Sequence, residues 1–160
     1  MSDVERVLAD TGLEPRYLEF ELTESMLLQD TAAILRTLQG LKALGVKIAI
    51  DDFGTGHSLL MHLKRFPIDK LKIDRTFIAD IPGDSDDVAI TAAIIDLARN
   101  MGITSIAEGV ERPEQVEFLK ARGCVEMQGF AICPALPAEE LAAWLARPRV
   151  AALSAEKQPV

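Results

Sequence analysis

Acidic residues recur at the ends of short apolar segments in this chain, and their spacing could support metal or proton chemistry. Five such segments are present: FELTE at 20–24, IAIDD at 48–52, LKID at 71–74, SIAEGVE at 105–111 and EMQG at 126–129. Carboxylates gathered at one place repel one another unless cations lie between them. The pattern therefore predicts a divalent-metal site built from the polar residues of these segments: Glu21, Asp51, Asp52, Lys72, Asp74, Glu108, Glu111 and Gln128.

Segments of helical periodicity alternate with the apolar segments. Strands that alternate with helices in this way run parallel, so their C-terminal ends share one edge of the sheet. Ligands and catalytic groups collect at that edge in α/β folds. Strands are predicted at 17–23, 46–50, 69–73, 103–107 and 125–128, and helices at 3–11, 30–44, 58–65, 85–101, 113–122 and 138–146.

Five β/α units predict an α/β fold of the TIM-like (β/α) barrel type that is incomplete. A closed barrel needs about eight strands and about 250 residues, whereas this chain has 160 residues and begins within a predicted helix. We therefore expect residues 1–147 to be the C-terminal part of a larger barrel domain. Residues 148–160 are polar and rich in Ala and Pro, and we expect them to form a disordered tail.

Composition narrows the class of partner and the compartment. The net charge of −8 argues against DNA or RNA polymers as partners. No apolar run approaches the roughly 20 residues of a membrane span, and the charged N-terminus does not resemble a signal peptide. Cys124 and Cys133 lack metal-ligand spacing, so we interpret them as reduced residues in or near the core of a cytoplasmic protein.

The adjacent pair Asp51 and Asp52 is the strongest chemical signal. Two neighbouring carboxylates at a strand end could bridge one metal ion and reach a second, as in two-metal hydrolysis. The alternative is an ordinary polar strand end or a helix cap. The apolar residues before the pair and the FGTG segment after it favour the metal interpretation.

The remaining candidates each allow two interpretations. Glu21 would need a metal if it faced a barrel interior, but would carry no function if it faced solvent. Lys72 could hold, orient or deprotonate an attacking water, or could simply pair with Asp69 or Asp74. One of Glu108 and Glu111 could bind metal while the other supports it, and Gln128 could contact substrate or be structural.

In chain order, the segments ELTES, IAIDDFGTG, LKRFPIDKLKIDRTFI, IAEGVE and QGF…CP resemble the C-terminal two-thirds of the EAL domain. That family hydrolyses the bacterial second messenger cyclic di-GMP to the linear dinucleotide pGpG. The resemblance extends from about residue 3 to 147, and the motifs are long, ordered and correctly spaced. It implies a (β/α) barrel that binds two Mg²⁺ or Mn²⁺ ions and forms a homodimer or another oligomer.

The resemblance also implies a role for each matching residue. Lys72 would contact the nucleophilic water, and Asp51 would bridge the two ions. Glu24 would anchor the loop FGTGHSLL, which in the family couples metal and substrate binding to dimerisation. The metal ligands would be Glu21, Asp51, Asp52 and Glu108, and the residues that support the site or contact substrate would be Gln128, Glu111 and Asp74.

The sequence departs from the family pattern in two respects. The Glu-Ala-Leu strand that names the family and the following strand with its metal-binding Asn are absent from the sequence, so we expect the chain alone to be inactive. In the loop, His57 replaces an aromatic residue and Leu59 replaces a serine. The alternatives to a phosphodiesterase are a catalytically silent module that binds cyclic di-GMP or a protein, and a different metal-dependent (β/α) enzyme.

Overall fold

Helices and parallel strands alternate along the chain in the computed structural model, which describes residues 2–27, 31–54, 63–124 and 126–146. The N-terminal half contains α1 (Ser2–Thr11), a 3₁₀ helix (Pro15–Tyr17), β1 (Glu19–Thr23), α2 (Glu24–Leu27), α3 (Thr31–Leu44) and β2 (Lys47–Phe53). The C-terminal half contains β3 (Lys70–Ile73), α4 (Arg75–Ile78), α5 (Ser85–Met101), β4 (Thr104–Ala107), α6 (Pro113–Arg122), β5 (Glu126–Met127) and α7 (Ala138–Leu145).

The five strands form one sheet in the order β1-β2-β3-β4-β5, and every neighbouring pair is parallel. This arrangement confirms the predicted α/β class and places the C-terminal ends of all five strands at one edge. Each predicted strand is present, with ends that differ from the prediction by a few residues. Residues 55–60 of the loop FGTGHSLL, with His57 and Leu59, lie outside the described residues. So do most of the predicted helix 58–65 and the predicted tail 148–160.

Two short helices follow strands where the sequence predicts no helix. α2 begins at Glu24, directly after β1, between the predicted strand 17–23 and the predicted helix 30–44. α4 begins after Asp74, whose carboxylate accepts a hydrogen bond from the Thr76 N–H at 2.9 Å. Aspartate is a favoured N-cap because its carboxylate satisfies N–H groups that have no partner within the helix. Both helices therefore start at acidic residues of the predicted site.

The two faces of the sheet differ in chemistry because successive side chains of a strand point to opposite sides. One face is apolar and packs with the helices into a single buried cluster. The strands contribute Phe20, Leu22, Ile48, Ile50, Leu71, Ile73 and Ala107 to this cluster, and the helices contribute Leu38, Leu41, Ile95, Ala98 and Leu119. The opposite face carries Glu19, Glu21, Asp51, Lys70 and Lys72.

Asp69 fixes the entry into β3. Its carboxylate accepts hydrogen bonds from Lys42 Nζ at 2.7 Å, from Lys47 Nζ at 3.2 Å and from the Ile48 N–H at 2.9 Å. Burial alone would raise the pKa of Asp69, but these donors, led by Lys42, lower it below its ordinary value. The interaction ties α3, β2 and β3 together at the end of the sheet opposite the predicted site.

Both cysteines are free thiols, as predicted. Cys124 is buried and Cys133 is half-buried. Within the described ranges, no helix has the length and apolar character needed to span a bilayer.

Candidate metal centre

An irregularity in β2 brings the adjacent carboxylates of Asp51 and Asp52 together. Neighbouring side chains of a regular strand point to opposite faces, but the pairing of β2 with β3 shifts between Ile50 and Phe53. Asp52 also has a φ of +54°, a left-handed conformation that is uncommon except in glycine, asparagine and aspartate. The bulge lets both carboxylates serve one site.

A third carboxylate joins this pair from β4. Glu108 follows the strand directly, and its N–H still donates to the Ile73 carbonyl of β3 at 3.2 Å. One carboxylate oxygen from each of Asp51, Asp52 and Glu108 lies within 4.8 Å of the other two. We refer to these three residues as the carboxylate cluster. The predicted convergence of β2 and β4 residues at the sheet edge is therefore present.

Lys72 lies among these acids on β3. Its ammonium Nζ is 2.9 Å from Glu21, 2.9 Å from Asp51 and 2.8 Å from Glu108, and its side chain is only 8% exposed. Lys72 thus contacts three of the four predicted metal ligands. The alternative in which it pairs with Asp69 or Asp74 is wrong, because Asp69 binds Lys42 and Lys47 and Asp74 caps α4.

The charge state of Lys72 follows from its surroundings. Burial by itself would lower its pKa, but hydrogen bonds to Glu108, Glu21 and Asp51 outweigh burial and raise the pKa above the ordinary value for lysine. A group with a raised pKa remains protonated at neutral pH. In this structure Lys72 is therefore a cation that donates hydrogen bonds to three carboxylates.

The surroundings of Asp52 disfavour its charged form. Desolvation, followed by repulsion from Asp51 and Asp74, raises the pKa of Asp52. Burial would also raise the pKa of Asp74, but hydrogen bonds from Thr76 lower it overall. Asp74 thus lies close enough to Asp52 to repel its charged form. An added cation would relieve this repulsion.

The donor set fits a divalent ion. Carboxylate oxygens are the hard ligands that Mg²⁺ and Mn²⁺ prefer in proteins, and the carboxylate cluster offers three of them from rigid strand ends. The ammonium of Lys72 already occupies a position surrounded by three carboxylates, which shows that this edge attracts positive charge.

The other predicted residues lie around the cluster in different ways. Glu21 on β1 reaches it through Lys72, and Glu24 is buried at the start of α2. Glu111 is exposed, and its backbone N–H donates to Gln115 Oε1 at 2.8 Å. Gln128 is also exposed, and its carbonyl accepts from the Val110 N–H at 3.0 Å. The predicted residues thus share one edge, and Lys72 links Glu21, Asp51 and Glu108 directly.

A second charged layer lies beneath the first and was missed by the sequence analysis. Lys70 Nζ is 3.3 Å from Glu19 and 2.8 Å from Glu126. The available signal was alternation, because Glu19, Lys70 and Glu126 each lie two residues before Glu21, Lys72 and Gln128. Residues two apart on a strand share a face, so the two layers could have been predicted together.

Loss of one cluster carboxylate is expected to weaken the response to metal. Mn²⁺ that binds only the folded chain stabilises it, by about 2.7 kcal/mol at 100 times the dissociation constant. We expect Mn²⁺ to raise the melting temperature of the chain and Asp51→Asn to abolish most of that rise. Glu139→Gln on α7 is the control and should leave the rise intact. Equal rises in all three proteins would remove Asp51 from the site.

Comparison with known proteins places this geometry in a family. The family model of the EAL domain matches residues 1–135 of this chain. The bifunctional diguanylate cyclase/cyclic di-GMP phosphodiesterase MucR of Pseudomonas aeruginosa is 47% identical over 146 residues, which are 91% of this chain and 21% of that protein. The chain spans about a fifth of the length of the first curated relatives it matches.

Solved structures agree with the family match. The MucR phosphodiesterase in complex with c-di-GMP has a TM-score of 0.83 at 48% identity, over 88% of this chain and 57% of that one. BlrP1 of Klebsiella pneumoniae in a manganese/cy-diGMP complex has a TM-score of 0.75 at 36% identity, over 81% of this chain and 33% of that one. The open five-stranded sheet therefore corresponds to part of the TIM-like barrel of these domains. The chain belongs to the EAL domain family.

Proposed function

We propose that the domain to which this chain contributes hydrolyses cyclic di-GMP to pGpG. The observation that carries the proposal is the carboxylate cluster of Asp51, Asp52 and Glu108 with Lys72 bonded into it. MucR, a relative that is 47% identical, is named a bifunctional diguanylate cyclase/cyclic di-GMP phosphodiesterase. In the reaction, water adds to phosphorus, the bond to the 3′-oxygen breaks, and the water's proton ends on that leaving oxygen.

In this proposal Glu21, Asp51, Asp52 and Glu108 would hold two metal ions, and Asp51 would serve both. Mg²⁺ or Mn²⁺ would supply activation of the attacking water and neutralisation of the charge that develops on the phosphate. BlrP1, a structural relative, was solved with manganese and cy-diGMP. Carboxylate oxygens accommodate either ion, so the donor set alone does not choose between them.

The other residues act on water, substrate and the surrounding loops. Lys72 holds the attacking water by donating a hydrogen bond from its ammonium. Gln128, Glu111 and Asp74 support the site or contact the substrate at the sheet edge. Glu24, buried where β1 ends, anchors the loop that begins with Phe53.

The isolated chain is proposed to turn over little substrate. The tripeptide Glu-Ala-Leu does not occur in the 160 residues, and the chain covers 57% of the MucR phosphodiesterase structure. Misplacing a reacting group by about 1 Å can cost about 10²-fold in rate. We propose that residues 1–147 belong to the barrel; the predicted tail 148–160 lies outside the described residues.

We further propose that the chain works as a homodimer or another oligomer in the bacterial cytoplasm. β1 and β5 form the two edges of the described sheet, and open edges favour association with other strands. Two free thiols suit a reducing compartment.

Product analysis of a restored domain tests the proposal. The N-terminal part of the MucR phosphodiesterase domain would be fused in front of this chain, because the rest of that domain is 48% identical to the chain in the matched region. The fusion would then be incubated with cyclic di-GMP and Mn²⁺. We expect pGpG from the fusion and no pGpG from its Asp51→Asn, Asp52→Asn variant or from the 160-residue chain alone. Binding of cyclic di-GMP without turnover by the fusion would favour the silent binding module instead.

A further inference from the structure

Gln115 on α6 is a buried amide whose hydrogen-bonding capacity is fully used. Its side-chain oxygen accepts from the N–H groups of Glu111 at 2.8 Å and Arg112 at 2.9 Å. Its side-chain nitrogen donates to the carbonyls of Ile78 at 2.8 Å and Ala79 at 3.1 Å. A glutamine amide has two acceptor positions and two donor hydrogens, and at 2% exposure water cannot replace these partners.

The four bonds join two segments that are far apart in sequence. Ile78 and Ala79 lie at the end of α4, whereas Glu111 and Arg112 close the segment after β4. Arg112 repeats the connection, because its guanidinium donates to the carbonyls of Ala79 at 2.7 Å and Ile81 at 2.8 Å. We call these contacts of Gln115 and Arg112 the α4 bridge.

Each segment held by the α4 bridge carries part of the carboxylate cluster or lies close to it. The segment after β4 begins with Glu108, a member of the cluster. α4 is capped by Asp74, whose negative charge repels that of Asp52, another member. The two segments also pack closely, since a Cβ on Gly109 would lie 2.6 Å from the Cβ of Arg75.

We propose that Gln115 is a positioning residue that sets the separation of Glu108 from Asp52 and so tunes the affinity for metal. The proposal rests on the proposed metal site. Carboxylates that bind a cation must be held apart against their mutual repulsion before it arrives, and rigid supporting hydrogen bonds supply that restraint. The amide of Gln115 is fully occupied by four backbone groups, so it acts on the carboxylate cluster through the two segments it joins.

Mn²⁺ binding to the 160-residue chain, followed by electron paramagnetic resonance of the free ion, tests the proposal without turnover. Gln115→Met keeps the approximate volume and removes all four hydrogen bonds. We expect it to weaken Mn²⁺ binding about tenfold, at the lower end of the range for residues that support metal ligands.

Thr91→Val is the matched control. Thr91 lies on α5 and is fully buried, and its hydroxyl donates to the Phe77 carbonyl of α4 at 3.0 Å. This hydrogen bond makes no bridge to the segment after β4. The variant should have a lower free energy of unfolding but should bind Mn²⁺ within about twofold of the unaltered chain. Thr91 does not hold the segment that carries Glu108, so its loss should leave the spacing of the carboxylates unchanged.

Gln115→Glu guards against a methionine variant that fails to fold. Glutamate keeps the size and the two acceptor contacts with Glu111 and Arg112, but repels the carbonyls of Ile78 and Ala79. We expect it to weaken Mn²⁺ binding about threefold, less than methionine does. If the folded Gln115 variants bind Mn²⁺ as tightly as the unaltered chain, the positioning role of Gln115 is overturned while the metal site stands. If the unaltered chain binds no Mn²⁺, the metal site itself fails, and the proposal fails with it.

Discussion

Lys72→Met is expected to lower kcat of the restored domain by about 10²–10³-fold while changing KM much less. The ammonium of Lys72 lies within 2.9 Å of Glu21, Asp51 and Glu108, so its loss leaves those carboxylates without their shared donor. A group that holds the attacking water contributes mainly in the transition state, and its removal therefore affects kcat rather than substrate binding. Steady-state kinetics with cyclic di-GMP and saturating Mn²⁺ measure both constants.

Lys70→Met is the matched control for this measurement. Lys70 lies two residues away on the same strand and the same face, and it pairs with Glu19 and Glu126 in the layer beneath. The control removes a lysine from an acidic environment without touching the carboxylate cluster, so we expect kcat to change by less than about threefold. Equal losses in both variants would show that any charge removed from this face disturbs the domain, and would count against a role for Lys72 with water.

Gly129→Ala is expected to destabilise the chain by about 4 kcal/mol, among the largest effects of a single substitution. A Cβ at Gly129 would lie 2.2 Å from the Val110 carbonyl oxygen and 2.3 Å from the Val110 nitrogen. These are backbone atoms, and hydrogen bonds hold Val110 to Gln128 and Ala131. The overlap can be relieved only by breaking the contact between the ends of β4 and β5, which also carries Gln128.

Chemical denaturation measures this loss, with Gly102→Ala as the comparison. Gly102 has a φ of +70° and no atom within 4 Å of a Cβ built on it. Alanine there pays only for the left-handed backbone, about 1 kcal/mol. If the two variants lost similar free energy of unfolding, the close approach of Gly129 to Val110 would not be a constraint on the fold.

The fold was predictable because its signals are local. Five apolar segments, separated by helical periodicity and by stops such as Gly102, specify a parallel sheet, and Gly102 does end α5 in the left-handed conformation. The predicted strand ends differ by a few residues because pairing with neighbours, rather than propensity, decides where a strand stops. α2 and α4 were missed because each is only four residues long, which is too short for periodicity to register.

The convergence of the acidic strand ends was predictable from the sequence, and the individual contacts between them were less so. The acidic strand ends indicated which residues meet, but the conformation of Asp52 that lets it join Asp51 depends on a bulge whose position the sequence does not announce. The partners of Lys72 depend on the register of β1, β2 and β3. The α4 bridge was not predicted because a glutamine in the first turn of a helix has many ordinary uses. Its four partners are all backbone groups, and two of them are distant in sequence.

Anomalous scattering from crystals of this chain grown with Mn²⁺ locates the ion and so tests whether the carboxylate cluster binds metal. We expect a manganese peak within coordinating distance of the carboxylates of Asp51, Asp52 and Glu108, and its loss in Asp51→Asn. No peak at this edge under saturating Mn²⁺, or a peak bound by other residues while Lys72 keeps its three carboxylate partners, would contradict metal binding by the cluster.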